Sequence, residues 1–374
     1  MITNAFGIIL TSDNNMQLKD LTYSRSVAAV PFGGRYRCID FILSNMVNSG
    51  LTNVGIVAEK NYHSLMDHLG SGKEWDLHRK RDGLFILPPY VTRENTGLYR
   101  GSVDALKSIS GYIRRSAQRY VILSGSHTIF NAQFNDMLEQ HVKTGADITI
   151  LYNEDPEFNL EDQFKDLRLN MDITGRVTDV EYNPYRPKTP YQSCNVLVME
   201  KTLLEYLVEE AVAHGRYHFH QDIILRNVTS LKIYGYRYNG YVARLNSLNT
   251  FFRHNMDLLK KEVREDLFNP DHPIYTKVKD EVSARYGRNA VAKNSMVADG
   301  CVVEGQVENC VLFRGVSVNQ GSKLKNCIVM QGSQIQENCN LDHVILDKSV
   351  IVKRGRSLMG QETFPIILRK GTVV

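Results

Sequence analysis

The segment from Val307 to Ser357 repeats itself with an offset of 17 residues, and this repeat limits the chain to few folds. Its three consecutive copies read VENCVLFRGVSVNQGSK, LKNCIVMQGSQIQENCN and LDHVILDKSVIVKRGRS. Three sets of apolar residues recur at matching places: Val307, Leu324 and Leu341; Val311, Ile328 and Ile345; and Val318, Ile335 and Val352. Apolar positions about five or six residues apart are typical of hexapeptide-like turns, whose coils bury an apolar ladder only by stacking. The repeat therefore predicts a parallel β-helix, with Cys310 stacked over Cys327.

The first two thirds of the chain alternate apolar strand patterns with helical patterns. One helical pattern, which ends at Gly50, places five apolar residues on a single face: Ile39, Ile42, Leu43, Met46 and Val47. Strand patterns cover residues 6–10, 53–58, 120–123 and 147–151. This alternation predicts an α/β domain with a mostly parallel sheet. Because ligands bind beyond the carboxyl ends of such strands, we expect a site at the loops that contain Thr11 and Ser124.

Length and pattern together predict two folded parts and a connector. A chain of 374 residues is long enough for two ordinary hydrophobic cores. We expect an α/β domain over 1–250, a helical connector over 251–287 that contains the proline-bearing stretch FNPDHPIYT, and the β-helix over 288–374.

Composition and charge narrow the partners that the chain can have. A formal net charge of +4 is small for this length, so we expect no nucleic-acid binding. No apolar run reaches the roughly 18 residues of a membrane span and no signal-peptide pattern occurs, so we expect a cytoplasmic protein without membrane contact. The six cysteines form no CxxC pair, and His214, His218 and His220 have no carboxylate at ligand spacing. We therefore expect reduced thiols and no metal site.

The loop after the first strand pattern lacks the residues that bind phosphate. A nucleotide-binding loop at this place carries glycines, because backbone N–H groups must approach the phosphates closely. Here the stretch GIILTSDNNMQLKDLT, residues 7–22, has side chains at those positions, and Asp13 would repel a phosphate. The loop therefore has the position of a nucleotide-binding loop without its chemistry.

Six stretches of the sequence are similar to those of one known family: LKDLT (18–22), AVPFGGRYRCIDFILSNMVNSGL (29–51), GSGKEWDLHR (70–79), LPPY (87–90), GSVDAL (101–106) and NMDLL (255–259). With them the chain resembles the glucose-1-phosphate adenylyltransferases, which make ADP-glucose for glycogen and starch, over nearly its whole length. The resemblance implies an α/β fold: a Rossmann-like nucleotidyltransferase domain with a mostly parallel sheet, followed by a C-terminal left-handed parallel β-helix.

The nucleotide half of the family's site is changed in this chain. By residue match, the family's loop Gly-Gly-x-Gly-x-Arg falls on Ser12, Asp13, Asn15 and Gln17. The lysine of its Arg-Ala-Lys-Pro segment, which neutralises pyrophosphate, falls on Val27. The resemblance therefore implies that this chain lacks the residues with which the family binds the triphosphate.

The metal and sugar positions are changed as well. The two aspartates that hold Mg²⁺ in the family fall on Ser126 and Arg244. The lysine that binds glucose 1-phosphate falls on Asn183, and a glycine beside the sugar falls on Asn195. Adenylyl transfer depends on charge neutralisation by Mg²⁺ that carboxylates hold, and a serine with an arginine does not supply it. We therefore expect no catalytic residue and no resident cofactor here, with Mg²⁺ only at a catalytic partner subunit.

The resemblance is then closest to the regulatory, non-catalytic subunit of the bacterial enzymes. It implies a hetero-oligomer with a catalytic paralogue, a tetramer by resemblance, in which this chain modulates ADP-glucose synthesis; self-association of the chain alone is left open. A coupling free energy across the shared interface, typically about 1–3 kcal/mol, would carry the effect. Two alternatives stay open. One is a weakly active adenylyltransferase, which needs another carboxylate near Ser126, and the other is a stand-alone metabolite sensor.

Members of this family respond to phosphorylated metabolites bound near the junction of their two domains. By residue match, Arg25 and Arg37 are the retained positions that could hold such an anion, with a further basic contribution from three residues of the β-helix: Lys353, Arg354 and Arg356. The other interpretation is that all five are ordinary packing or surface residues, and the sequence favours it for the last three.

Overall fold

The computed structural model describes residues 4–11, 18–89, 99–155 and 167–374. The strands of the α/β part are β1 Ala5–Leu10, β2 Pro31–Phe32, β3 Tyr36–Arg37, β4 Asn53–Val57, β5 Gly83–Leu87, β6 Tyr120–Gly125, β7 Thr128–Ile129, β8 Ile148–Glu154, β9 Leu167–Met171, β10 Val177–Tyr182, β11 Tyr191–Glu200, β12 Ile233–Arg237 and β13 Ala243–Arg244.

The helices lie between and after these strands. They are α1 Cys38–Asn48, α2 His63–Leu69, α3 Ser102–Ser108, α4 Ser110–Arg115, α5 Asn135–Thr144, α6 Lys201–Ala213, α7 Leu225–Asn227, α8 Leu248–Asp257 and α9 Lys261–Leu267. Single 3-10 turns cover Lys19–Thr22, Val27–Ala29 and Lys73–Trp75, and a π-helical turn covers Phe219–Ile224. Among the described helices, none is both long and apolar enough to cross a membrane.

The central sheet has nine strands, in the order β10-β9-β11-β6-β1-β4-β5, with β8 paired to both β11 and β12. β1 lies parallel to β4 and β6, and β4 lies parallel to β5, which confirms the predicted α/β architecture. β11 runs antiparallel to β6 and β8, so the sheet is mixed on that side. Leu10 pairs with Gly125, and the carboxyl ends of β1 and β6 therefore meet at one edge of the sheet.

Helix α1 follows the apolar period that the sequence shows. Ile39, Ile42, Leu43 and Met46 are buried in one cluster with residues of β1 and β4. The face that the spacing predicts is therefore the face that packs on the sheet. Gly50, with a φ of 92°, follows the helix in the left-handed region that glycine adopts readily.

Three five-stranded parallel sheets form the β-helix. Their strands are β14 Arg285–Tyr286, β15 Val291–Lys293, β16 Met296–Val297, β17 Val302–Val303, β18 Gln306–Glu308, β19 Val311–Leu312, β20 Ser317–Val318, β21 Lys323–Lys325, β22 Ile328–Val329, β23 Gln334–Ile335, β24 Asn340–Asp342, β25 Val344–Leu346, β26 Ile351–Val352, β27 Ser357–Met359 and β28 Ile366–Leu368. Val307 pairs with Leu324, and Leu324 pairs with Leu341, so the repeat offset of the sequence is the register of the coils.

The apolar sets of the repeat face two different cores. The sets that begin with Val307 and Val318 fill the interior of the coil, as predicted. The set that begins with Val311 instead faces out of the coil and packs on the α/β domain. Cys310 and Cys327 are stacked as predicted, since the Cys327 N–H lies 3.3 Å from the Cys310 Sγ.

Helix α8 is the centre of the junction between the two parts. Phe251 of α8 packs with Phe313 and Met330 of the β-helix in one buried cluster. One turn further along the same face of α8, the buried Oδ1 of Asn255 accepts a hydrogen bond of 3.1 Å from the Gly33 backbone N–H. The family-like stretches at 29–51 and 255–259 are therefore in contact, because α8 joins the sheet domain to the β-helix.

We expect Phe251→Ala to destabilise the protein by about 3–5 kcal/mol, because the fully buried ring fills the junction core and its loss leaves a cavity. Chemical denaturation followed by circular dichroism measures the change. Phe364→Ala is the matched control, since that ring is 80% exposed and its removal leaves no cavity. Equal midpoints for the two variants would contradict the assignment of Phe251 to the junction core.

Candidate functional site

The nine positions at which the family resemblance implies a changed residue divide into three groups. Four of them lie outside the described residues: Ser12, Asp13, Asn15 and Gln17. Three others lie together at the carboxyl edge of the sheet: Ser126, Asn195 and Arg244. Ser126 follows β6 and is 2% exposed. Asn195 belongs to β11 beside it, and Arg244 pairs with Thr128 through the contact of β13 with β7.

Asn195 places a side chain at a bulge in the middle of β11. The pairing of β11 with β8 is irregular between residues 193 and 196, and Asn195 has a φ of 57° at this bulge. Asparagine tolerates that left-handed conformation, as glycine does. Its Nδ2 lies 2.9 Å from the ring Nε2 of His127 and 3.5 Å from the Oγ1 of Thr128. The amide therefore occupies space that a glycine would leave open.

Arg244 places a guanidinium at the same edge. The side chain is 9% exposed, and its NH2 group donates to the Oδ1 of Asn153 and, at 3.0 Å, to the carbonyl of Ser193. A longer contact of 3.4 Å reaches the carbonyl of Gln192. These carbonyls lie beside the bulge of β11, where the strand ladder is irregular, so the arginine adds hydrogen bonds to backbone groups at that place.

The remaining two positions lie apart from this edge. Val27 is 1% exposed and packs in the core at the junction of the two parts, so it is a structural apolar residue. Asn183 is exposed after β10, with a φ of 51°. Next to it, the Tyr182 ring stacks on His220 at a centroid distance of 6.0 Å. An aromatic pair therefore lies next to the position where the family resemblance places a lysine.

The residues present at the edge do not fit a divalent metal ion. Within the described ranges, no group of three or more His, Cys, Asp or Glu side chains is placed to hold a metal. Ser126 offers a single neutral oxygen, and the Arg244 guanidinium lies against the oxygens of Asn153 and Ser193. A permanent cation beside these acceptors disfavours a second one.

Arg25, a predicted anion-binding residue, forms an ion pair within the protein. Its NH1 and NH2 groups lie 2.9 Å and 3.0 Å from the two carboxylate oxygens of Asp347 in the β-helix. Both side chains are buried, with 3% and 2% exposure. The bidentate pair joins the two parts of the chain, and we therefore assign Arg25 to the junction rather than to an open anion site.

Arg37, the second predicted anion-binding residue, is partly buried and held by α2. Its NH1 group donates to the carbonyl of Ser64 at 2.6 Å and to the Ser64 Oγ at 2.9 Å. Its backbone N–H donates to Asp40, whose other oxygen lies 2.6 Å from the His68 Nε2. Burial lowers the pKa of Arg37, with Asp40 opposing the shift. Arg37 thus faces the junction in a fixed orientation.

The three basic residues predicted in the β-helix do not join Arg25 and Arg37. Lys353, Arg354 and Arg356 are exposed and follow β26, at a later corner of the coil than Asp347. They are absent from the described residues that line the small cleft beside Arg37. The interpretation of these three as surface residues is therefore the better one.

Four cations that the sequence analysis missed converge with Arg37 on that cleft of about 40 Å³. Its basic lining residues are Arg35, Arg37, Lys277, Arg314 and Lys348. The repeat contained a signal for two of them, since residues 314, 331 and 348 are one position in its three copies, and all three line the cleft. We call the five basic lining residues, Arg35, Arg37, Lys277, Arg314 and Lys348, the junction cluster.

Burial gives two members of the junction cluster unusual properties. Arg314 is 5% exposed and its Nε has no hydrogen-bond partner among the described residues. Burial lowers its pKa, and the neighbouring charge of Arg35 adds to that effect. Burial, and after it the positive charges of Arg37 and Arg25, lower the pKa of Lys348 to about 7. Mutual repulsion of these groups makes the cluster a place that favours an anion.

The fold and the carboxyl edge of the central sheet together define a class of protein. A strand-loop edge of this kind, continued by a hexapeptide-type β-helix, is a nucleotidyltransferase architecture, and a nucleotidyl transferase family model matches residues 6–239. A second family model, described as GlmU-like, C-terminal hexapeptide, matches residues 279–363.

Two similar curated proteins are named glycogen biosynthesis protein GlgD. The one from Bacillus subtilis is 40% identical over 370 residues, which cover 98% of this chain and 96% of that protein. The one from Geobacillus stearothermophilus is 40% identical over 373 residues, 100% of this chain and 98% of its own length. A glucose-1-phosphate adenylyltransferase from Clostridium novyi is 33% identical over 84% of this chain and 83% of that enzyme. The chain therefore belongs to the glucose-1-phosphate adenylyltransferase family, which confirms the resemblance, and it is similar to the GlgD proteins along its whole length.

We expect Arg25→Met to cost about 3–5 kcal/mol of stability, because it leaves the buried carboxylate of Asp347 without its partner. The double variant Arg25→Met with Asp347→Asn recovers most of that loss. Urea denaturation of the three proteins measures both effects. The control is Arg369→Met, whose pair with Asp20 is largely exposed and is expected to contribute less than about 1 kcal/mol. An Arg25→Met loss no larger than that of the control would contradict a buried pair.

We expect the stability of the protein to carry a pH dependence from Lys348. Its pKa is about 7 in the folded protein and about 10.4 in an unfolded chain. Between these values the unfolded state binds more protons, so the contribution of Lys348 to stability rises with pH. Lys348→Met is therefore more stable than the original chain at pH 7, and the gap narrows towards pH 10. Thermal midpoints across this range measure it, and Lys353→Met, at an exposed lysine outside the cleft, is the control variant.

Proposed function

We propose that this chain is a non-catalytic regulatory subunit. It assembles with a catalytic glucose-1-phosphate adenylyltransferase and modulates the synthesis of ADP-glucose for glycogen. By itself it does not convert ATP and glucose 1-phosphate into ADP-glucose and pyrophosphate. The free cysteines, all buried, suit the reducing cytoplasm in which we place it.

The single observation that carries this proposal is the contact set of Arg244. Adenylyl transfer needs a divalent cation at this edge of the sheet, and the protein normally contributes carboxylates to hold it. Here a buried guanidinium donates to Asn153 and Ser193 instead. Because each lost electrostatic stabiliser of a transition state costs about 3 kcal/mol or more, the loss of both carboxylates makes turnover negligible.

The names of the relatives support the proposed assembly with a catalytic subunit. Proteins called glycogen biosynthesis protein GlgD are 40% identical to this chain, while named glucose-1-phosphate adenylyltransferases are 33% identical over a smaller share of it. A chain that retains the family fold, yet lacks its metal ligands, keeps the surfaces through which family members assemble. We therefore propose a hetero-oligomer, with Mg²⁺ held only by the catalytic subunit.

We further propose that a phosphorylated metabolite regulates the assembly through the junction cluster. Arg314 and Lys348 belong to the β-helix, whereas Arg35 and Arg37 belong to the α/β domain. An anion bound among them relieves repulsion across the junction, and so favours one arrangement of the two parts over another. A change of that kind reaches a neighbouring subunit as a coupling free energy.

The decisive experiment mixes this chain with the catalytic subunit from the same organism. We expect no pyrophosphate release from this chain alone with ATP, glucose 1-phosphate and Mg²⁺. The mixture is expected to show a different velocity from the catalytic subunit alone, and a half-saturating effector concentration changed by about fivefold or more. Pyrophosphate release by the isolated chain would support the weakly active enzyme instead.

A matched pair of variants separates assembly from effector binding. Arg314→Met removes a buried cation of the junction cluster, and we expect it to retain assembly while it loses the effector shift. Arg285→Met removes an exposed β-helix arginine that is paired with Glu304, and its mixture is expected to behave like the original one. A mixture that matches the catalytic subunit in both velocity and effector response would overturn the regulatory proposal.

A further inference from the structure

A second cleft, of about 1230 Å³, lies between α8 and one corner of the β-helix. Asn249 and Lys260 line it from the helical side, and Asn309 and His343 line it from the β-helix. The cleft continues to the sheet edge, where Arg244 lines it as well. Pockets for single small molecules occupy about 300–1,000 Å³. This cleft is therefore large enough for an extended ligand.

The β-helix side of the cleft is a ladder of asparagine amides. Asn294, Asn309 and Asn326 occupy one corner of three successive coils, with φ values of 44°, 50° and 50°. The Asn294 Nδ2 donates to the Asn309 Oδ1 at 2.7 Å, and the Asn309 Nδ2 donates to the Asn326 Oδ1 at 3.4 Å. Each amide has two donors and two acceptor positions, so capacity for a ligand remains. The ladder repeats neutral polar groups at the coil spacing of about 4.8 Å.

A small hairpin at the end of the cleft carries an exposed aromatic ring. Gln361 and Phe364 exchange backbone hydrogen bonds of 3.2 Å and 3.0 Å, which makes a tight turn in the last coil. Glu362 and Thr363 in this turn line the cleft. The Phe364 ring, which follows Thr363 in the chain and borders the cleft without lining it, is 80% exposed. An aromatic face in water beside polar groups is suited to stack on the apolar C–H face of a sugar ring.

The charges of the cleft are largely paired within the protein. Lys260 lies 2.7 Å from Asp257, and Arg168 lies 2.9 Å from Asp155. His343 lies 2.8 Å from Asp342, which is next to it in the chain. A polyanion such as a nucleic acid needs a groove with a strong excess of positive charge. A bound peptide helix or strand needs apolar anchors, which an asparagine ladder does not provide.

We propose that this cleft binds a neutral, polyhydroxylated chain, an α-glucan, along the asparagine ladder with one sugar ring stacked on Phe364. The choice of a glucan rests on the proposed function in glycogen synthesis. The cleft lies on a different corner of the β-helix from the junction cluster, so the binding of a glucan and the binding of a phosphorylated effector are separate events.

Native electrophoresis through gels that contain glycogen tests the proposal with the full chain. We expect glycogen to retard the chain relative to a gel without it, and calorimetry with maltoheptaose to give heat of binding. Phe364→Ala is expected to weaken binding by about three- to tenfold, since it removes the aromatic face on which the sugar ring stacks. Asn309→Gly, which suits the positive φ at that corner, is expected to weaken it as well.

Two control variants keep the test specific. Tyr185→Ala removes another largely exposed ring, at 78% exposure, and Asn338→Gly removes another asparagine with a positive φ, of 55°. Neither residue lines the cleft, and both variants are expected to bind glycogen like the original chain. Equal loss in the control variants would contradict a site in this cleft.

The outcome is independent of the regulatory proposal, because assays of the mixture with the catalytic subunit need no glucan. Absence of both retardation and heat in the original chain would overturn the glucan site and leave the regulatory role untouched. Loss of assembly with the catalytic subunit in Phe364→Ala, without any glycogen retardation of the original chain, would show that the surface is a protein contact instead.

Discussion

One apolar interface supports the rest of this structure: the outward face of a β-helix sheet packed on helix α8. The set of the repeat that begins with Val311 leaves the coil interior and joins Phe251 in the junction core. Beside this core, the buried ion pair of Arg25 with Asp347 restricts how the α/β domain and the β-helix can be oriented, since a bidentate pair tolerates few relative orientations. The two parts are thereby fixed close enough for cations from both to face each other in the junction cluster.

Two kinds of surface line the large cleft beside this junction. Toward the sheet edge, Arg244 and Asn195 place side chains at positions where the family resemblance implies an aspartate and a glycine. Toward the β-helix, the corners remain polar and open, as the asparagine ladder shows. A few polar side chains at the sheet edge can differ within a family without a change of fold, because the fold depends on packing and the chemistry of a site on a few charges.

Much of the fold could be predicted because the spacing of apolar residues along the chain indicates which side chains are buried. The 17-residue repeat predicts the register in which Val307 pairs with Leu324. The helical spacing of Ile39 and Ile42 likewise predicts the buried face of α1. The candidate anion residues were less predictable. Arg25 belongs to an ion pair with a residue 322 positions away, and a charge count along the sequence has no way to show such a partner.

The sequence by itself determined the two architectures and the membership of a family, since each depends on residue type at a fixed spacing. Only the tertiary structure decided which cations share a site. Arg314 and Lys348 come next to Arg37 because coils of one period stack against a domain whose own residues are far away in sequence. Local spacing specifies strands, helices and turns, whereas contacts between distant segments arise only when their apolar faces pack.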